Sequence, residues 1–260
     1  MGNNAISVLI TRPDPQGSVL CERIRERGDN AIHFPTIEII APDNQALMLE
    51  KITTIGEQDW LIFISPQAVF SSIPYIRQAW PIMGDTVNFA AIGAGTAQAL
   101  HEAGYQNVVH PLTDWNSEEL LKLPEFQAIN EKKIAVIRGE NGRDLLEKSL
   151  VERGAFVTPI VCYRRALPNI HLQKYTEFLI NVIVCTSYDS IKNLKILVGE
   201  MGWKSLKQTP CVVVSDRIKK LAHDLGFQTI WVAKNASHEA ILKMLAQKRN
   251  EICQIKPMKL

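Results

Sequence analysis

Short apolar runs rich in β-branched residues alternate along this chain with stretches whose apolar positions recur at helical spacing. That is the pattern of βα units feeding parallel strands. It predicts strands over 6–11, 31–34, 60–64, 88–92, 107–109, 133–137, 156–161, 182–186, 211–215 and 229–232. Helices are expected over 16–27, 45–55, 66–79, 96–103, 118–123, 143–153, 172–179, 190–198, 217–225 and 238–247. Gly28, Gly104, Gly154 and Gly226 each follow one of these helices, where a left-handed cap suits glycine. Two more extended stretches, 35–39 and 161–165, break the βα rhythm, and Pro42 and Pro168 follow them.

The pattern is written twice. Leu9-Ile10-Thr11-Arg12, a helical stretch ending at Gly28 and an apolar run are echoed by Val136-Ile137-Arg138, a helical stretch ending at Gly154 and another apolar run. Arg12 and Arg138 stand 126 residues apart, as do Gly28 and Gly154. Trp60 to Ser65 matches Val182 to Ser187, Gly104-Tyr105 matches Gly226-Phe227, and Asn116 to Glu119 matches Ala236 to Glu239. The expectation is two similar α/β lobes with a cleft between them. The stretches 35–39 and 161–165 would be the crossings, a geometry that permits opening and closing.

Composition narrows the class. A length of 260 residues suits two domains, and 46% apolar with 22% charged residues is globular. A formal charge of +2 argues against nucleic acid or an anionic membrane as partner. The basic residues Lys243, Lys248, Arg249, Lys256 and Lys259 read as a solvated, frayed C-terminus. The five cysteines (Cys21, Cys162, Cys185, Cys211, Cys253) form no C-x-x-C pair and read as thiols in a reducing cytosol. No secretory signal, myristoylation signal or apolar run long enough to span a bilayer is present, so a cytoplasmic location is expected.

In an open parallel sheet, ligands collect at the carboxyl ends of strands, where helix N-termini point free N–H groups. Here those positions carry Thr11-Arg12, Ser65-Pro66, Gly93-Ala94-Gly95-Thr96, Arg138-Gly139, Thr186-Ser187 and Ser215-Asp216. Ser65, Thr96, Ser187 and Ser215 each also read as helix N-caps, and Asn116 with Glu119 as a capping box. Taken together, the hydroxyls and glycines with Arg12 and Arg138 make a rim for a ligand with several carboxylates. Gly93-Ala94-Gly95 lacks the third glycine of a dinucleotide fingerprint, since Gln98 stands there. His101 and His223 fall on expected helices and read as exposed, and no metal set or Ser-His-Asp arrangement emerges. Tyr163, in a crossing strand, carries a phenol able to give up a proton, and reads alternatively as a hinge aromatic.

These residues also carry a family resemblance. Leu9 to Pro13, Phe34 to Ile39, Phe63 to Val69, Ile92 to Ala97, Arg138 to Arg143, Cys162 to Arg165 and Val213 to Ile218 resemble, in order and spacing, the uroporphyrinogen-III synthases. The resemblance fades after about Leu245. It implies two flavodoxin- or Rossmann-like lobes joined by a two-stranded β connector. One lobe would comprise 1–36 with 167–260 and the other 40–162, with connectors near 35–40 and 161–166. It implies cyclisation of hydroxymethylbilane, a linear tetrapyrrole with eight carboxylate arms, with inversion of the last ring, loss of water and no cofactor or metal. It implies Tyr163 as proton donor and Arg12, Ser65, Thr96, Arg138, Gly139, Ser187 and Ser215 as substrate-binding residues. Val214-Ser215-Asp216-Arg217 departs from the family's usual Gly-x-Thr-Thr segment, and Asp216 would repel a carboxylate unless turned away. A monomer is expected. The rival expectation is a non-catalytic two-lobed binder of a small polyanion.

Overall fold

The computed structural model describes residues 5–81, 87–113, 115–140 and 144–259. In chain order the elements are β1 (Ser7–Ile10), α1 (Gln16–Arg25), β2 (Asn30–His33), β3 (Glu38–Ile40), α2 (Gln45–Thr53), β4 (Trp60–Phe63) and α3 (Pro66–Ala79). Next come β5 (Asn88–Ala91), α4 (Ala94–Glu102), β6 (Val108–Val109), α5 (Ser117–Leu120), β7 (Lys133–Gly139), α6 (Leu145–Glu152) and β8 (Phe156–Ala166). The chain ends with β9 (Leu179–Ile180), β10 (Val182–Val184), α7 (Tyr188–Leu206), β11 (Cys211–Val213), α8 (Asp216–Asp224), β12 (Ile230–Val232), α9 (His238–Gln254) and β13 (Met258–Lys259). They form two compact units, one of Met1–Ile39 with Ala166–Leu260 and one of Ile40–Arg165.

The first unit carries a parallel five-stranded sheet in the order β12-β11-β10-β1-β2. Its central strands β1, β10 and β11 are almost wholly apolar because both faces are covered. Leu9, Ile183, Cys211 and Val213 pack on one side against Ile191 and Leu194 of α7 and Ile218 and Ala222 of α8. Val8, Ile10, Val184 and Val212 face the other side, against Leu20 and Ile24 of α1 and Ile241 and Leu245 of α9. Truncating a fully buried residue such as Leu9 to Ala would cost about 2–5 kcal/mol.

The second unit has a six-stranded sheet in the order β3-β8-β7-β4-β5-β6, with β8 through β6 parallel. Ile62, Ala90, Ile134 and Val136 pack with Leu120, Phe126, Leu146 and Leu150 of the α5–α6 side. Helices α2, α3 and α4 pack in succession. The chain leaves the first unit within β3 and returns to it at the end of β8.

All ten expected strands form, with ends shifted by a few residues, and the four cap glycines have φ of 82°, 88°, 86° and 100°. The stretch 161–165 is no separate strand but the continuation of the eleven-residue β8. Of 35–39, only the end joins β3. The helix expected over 172–179 is absent, leaving one tight turn at Leu172–Lys174. Eight uncapped residues nucleate a helix poorly. Tyr175 instead packs edge-on against Phe34 at 4.7 Å, and Leu179 and Ile180 pair antiparallel with β13.

The basic C-terminal stretch is likewise built in rather than frayed. Helix α9 runs on to Gln254, Ile252 is fully buried, and Arg249 binds Asp29 at 2.7 Å before β13 closes on β9. Helix α7 continues past its expected end through a kink at Gly199 (φ 65°), because Trp203 and Leu206 beyond it are buried. The start of the expected 143–153 helix and the segment Asn141-Gly142-Arg143 lie outside the described residues.

Candidate active site

In each sheet the strand order reverses direction once. From β4 the chain moves outward to β5 and β6, whereas from β7 it moves the other way to β8, so the reversal lies between β4 and β7. In the first unit it lies between β1 and β10. Beyond the carboxyl ends of two such strands, the diverging connections leave a crevice where ligands bind in open α/β sheets. Ser65 and Gly139 stand at this place in the second unit, and Arg12 and Ser187 in the first.

Tyr163 reaches the second of these crevices from one strand away. The β7–β8 ladder runs in constant register up to Arg138 and Val161, then shifts by one, so that Gly139 pairs with Tyr163 and Cys162 is the extra residue. Such a bulge re-aims the side chain that follows it. Cys162 and Tyr163 are both buried in consequence, where a regular strand would alternate. The Tyr163 ring lies on Gly139, and its Oη is 3.2 Å from Ser65 Oγ. Ser65 caps α3 with Pro66 at the first helical position, and its Oγ accepts the Ala68 N–H at 3.0 Å. Cys162 Sγ sits 3.2 Å from the Arg138 carbonyl, and burial pushes its thiol up to about 12. It is therefore a neutral tether rather than a nucleophile.

The two arginines differ. Arg12 gives hydrogen bonds to the Ala236 carbonyl (2.9 Å) and the neutral Gln16 carboxamide (2.6 Å). Among the described residues its Nε has no partner. Burial lowers its pKa to about 10, which leaves it cationic at neutral pH. Arg138 is ion-paired with Glu147 and, at 3.1 Å, with Asp144, both from the segment opening α6. Arg138, expected to bind substrate carboxylates, thus already has carboxylate partners within its own unit. Gly139, expected to contact substrate, is the seat of the Tyr163 ring.

Ser187 and Ser215 cap α7 and α8, the former in a reciprocal box with Ser190. Thr96 is not a cap. Gly93 holds that position, and Thr96 lies buried in the first turn of α4. Asn116 accepts the Glu119 N–H at 2.8 Å and caps α5. Asp216 is exposed at the start of α8, while Arg217 and Lys192 lie over the ring of Tyr188 at 5.6 and 4.5 Å. His101 and His223 are exposed.

Sequence reasoning missed several neighbours of the site. Gln16 and His238 flank Arg12, Trp115 packs over Gly93 with its Cγ 2.7 Å from where a Cβ would sit, and Glu147 neutralises Arg138. Two signals were present: Gln16 stands one helical turn after Arg12, and Asp144 and Glu147 are acidic residues where a helix begins. Among the described residues, no group of three or more His, Cys, Asp or Glu could hold a metal, and no helix is long and apolar enough to cross a membrane.

Residues 18–243 match the family model described as uroporphyrinogen-III synthase HemD. The chain is 36% identical over 252 residues to a uroporphyrinogen-III synthase of Escherichia coli, covering 92% of this chain and all of the relative. It is 34% identical over 250 residues to that of Salmonella typhimurium, with the same coverage. A mutant uroporphyrinogen III synthase from Thermus thermophilus superposes with a TM-score of 0.56 at 16% identity, over 96% of this chain and 99% of that one, a likeness of fold. Helix-capping hydroxyls, a buried tyrosine set on a glycine, and an arginine with neutral partners among the described residues thus occur in a chain that belongs to the uroporphyrinogen-III synthase family, cyclising lyases of haem biosynthesis.

Proposed function

We propose that this chain converts hydroxymethylbilane into uroporphyrinogen III, with Tyr163 as the acid that releases the substrate's hydroxyl. The observation that carries the assignment is the Tyr163 phenol, brought by a bulge to the strand-order reversal of its sheet and set against Ser65. The C–O bond of the hydroxymethyl group breaks, its electron pair stays with oxygen, and the phenol's proton completes a water molecule. A pyrrole nitrogen supplies electron density to the remaining cation. The last ring then attacks through its substituted carbon, and fragmentation and recombination invert it. The proton lost as the final ring regains aromaticity returns to the phenolate, so the balance is loss of one water.

Arg12 suits a carboxylate arm, being cationic with only neutral hydrogen-bond acceptors among the described residues. Ser187, Ser215 and Thr96 remain proposed hydroxyl contacts of the same kind. Arg138 is left out of the binding set. The reaction as written needs no cofactor, and we place the protein in the cytoplasm as a monomer. Incubation with hydroxymethylbilane tests this reading. The type III isomer should form, whereas a non-catalytic binder would leave only the spontaneous type I product.

A further inference from the structure

We propose that Ser65 and Gly139 act on the reaction through Tyr163 and not through the substrate: Gly139 opens the path the ring takes, and Ser65 steadies the phenol oxygen as it gives up its proton. The proposal rests on Tyr163 being the proton donor.

Strands β8 and β4 flank β7, so residues at their ends are two strand spacings apart, roughly 10 Å. A tyrosine on β8 meets a serine after β4 only by laying its ring across β7. Any side chain on β7 beneath the ring would block it. At Gly139 a Cβ would fall 2.5 Å from the ring's Cζ and 2.7 and 2.9 Å from its two ε carbons. The extra residue Cys162 makes the match: without it Tyr163 would stand opposite Glu140, and with it the ring finds the residue without a side chain.

A serine hydroxyl has one hydrogen and two lone pairs. In Ser65 one lone pair takes the Ala68 N–H, in the first turn of the fourteen-residue α3. That bond draws electron density from Oγ and makes its hydrogen a better donor. When the phenol's proton passes to the departing hydroxyl, negative charge gathers on Oη, 3.2 Å from the serine oxygen. A neutral contact becomes charge-assisted, about twice as strong. The gain arises only as charge develops, so it raises turnover and leaves substrate affinity alone.

A kinetic double-mutant cycle on the full chain, following type III formation from hydroxymethylbilane, tests this. Ser65→Ala should lower kcat about 5- to 10-fold with KM changed less than about twofold. Ser65→Thr should retain most of the activity. Ser65→Asp keeps a helix cap but has no hydrogen to give, and should lose at least as much as Ala. In a Tyr163→Phe background, Ser65→Ala should cost less than about twofold, because its partner atom is gone. If Ser65→Ala costs the same factor in both backgrounds, or Ser65→Asp is as active as Thr, the proposal is overturned. Wild-type turnover in Tyr163→Phe alone would instead overturn the assignment of Tyr163 on which it rests.

Discussion

Arg12 and Arg138 end matching strands of two repeated units and are equally buried, at 6% and 7% exposure, yet their charges have opposite fates. Arg138 is held by Glu147 and Asp144, whereas Arg12 leans on a carbonyl and a carboxamide. The next residue differs too. Pro13 follows Arg12, while Gly139 follows Arg138 and carries the Tyr163 ring. The two units thus share a scaffold pattern but differ in what surrounds the matching arginine. The second unit sets a tyrosine on the glycine beside its arginine, and that arginine is ion-paired. The first has an arginine with charge to offer.

The comparison breaks most visibly at Gly139. Gly139→Ala should lower kcat about 100-fold, since displacing a reacting group by about 1 Å costs that much. It should also destabilise the fold by about 1–3 kcal/mol, as overpacking does. Isomer-resolved kinetics beside urea denaturation would show both, and an Ala variant with normal turnover would mean the ring does not need this path. Arg138→Met should cost about 3 kcal/mol, because it leaves Glu147 with no cation in a mostly buried place. Its KM should stay near wild type; a raised KM with unchanged stability would return Arg138 to the binding set.

Arg12→Ala should do the reverse, raising KM about tenfold or more while kcat moves less, because bonds to side arms persist from ground to transition state. A selective loss of turnover at saturating substrate would contradict this. The smallest effect concerns His238, whose pKa is lowered by burial first and by the Arg12 charge second. A depressed value in the folded state means that its contribution to stability is intact above the ordinary histidine range. That contribution falls away as pH drops through about 6.5 and below. In Arg12→Ala, an NMR titration should find the His238 midpoint raised part of the way back, burial accounting for the rest. No movement would show that the two groups do not interact.

Much of this fold is legible in the chain, because period-two and period-3.6 apolar patterns survive translation into sheet and helix faces. Leu9 against Val8 and Ile10 divides the first sheet's two faces as alternation requires. The stretch 172–179 fails because an isolated apolar repeat says nothing of Phe34 and β13, which recruit Tyr175 and Leu179 from afar. The site is legible as residue types but not as contacts. Ser65 and Tyr163 are 98 residues apart in sequence, and their meeting depends on a one-residue bulge that leaves no compositional trace. The pairing of Arg138 with Glu147 likewise depends on where α6 stands beside β7, although the acidic helix start hinted at it.

The central claim is that the phenol on β8 is the acid of a cyclisation that inverts one ring. The most direct measurement is the single-turnover rate of type III formation from hydroxymethylbilane, at saturating substrate, in the wild-type chain and in Tyr163→Phe. Thermal unfolding of both should confirm an intact fold. The account predicts mainly type III product from the wild type and a rate lower by about 100- to 10,000-fold in the variant, the range a positioned proton donor typically contributes. Type I product alone from the wild type, or equal type III rates from both proteins, would contradict it.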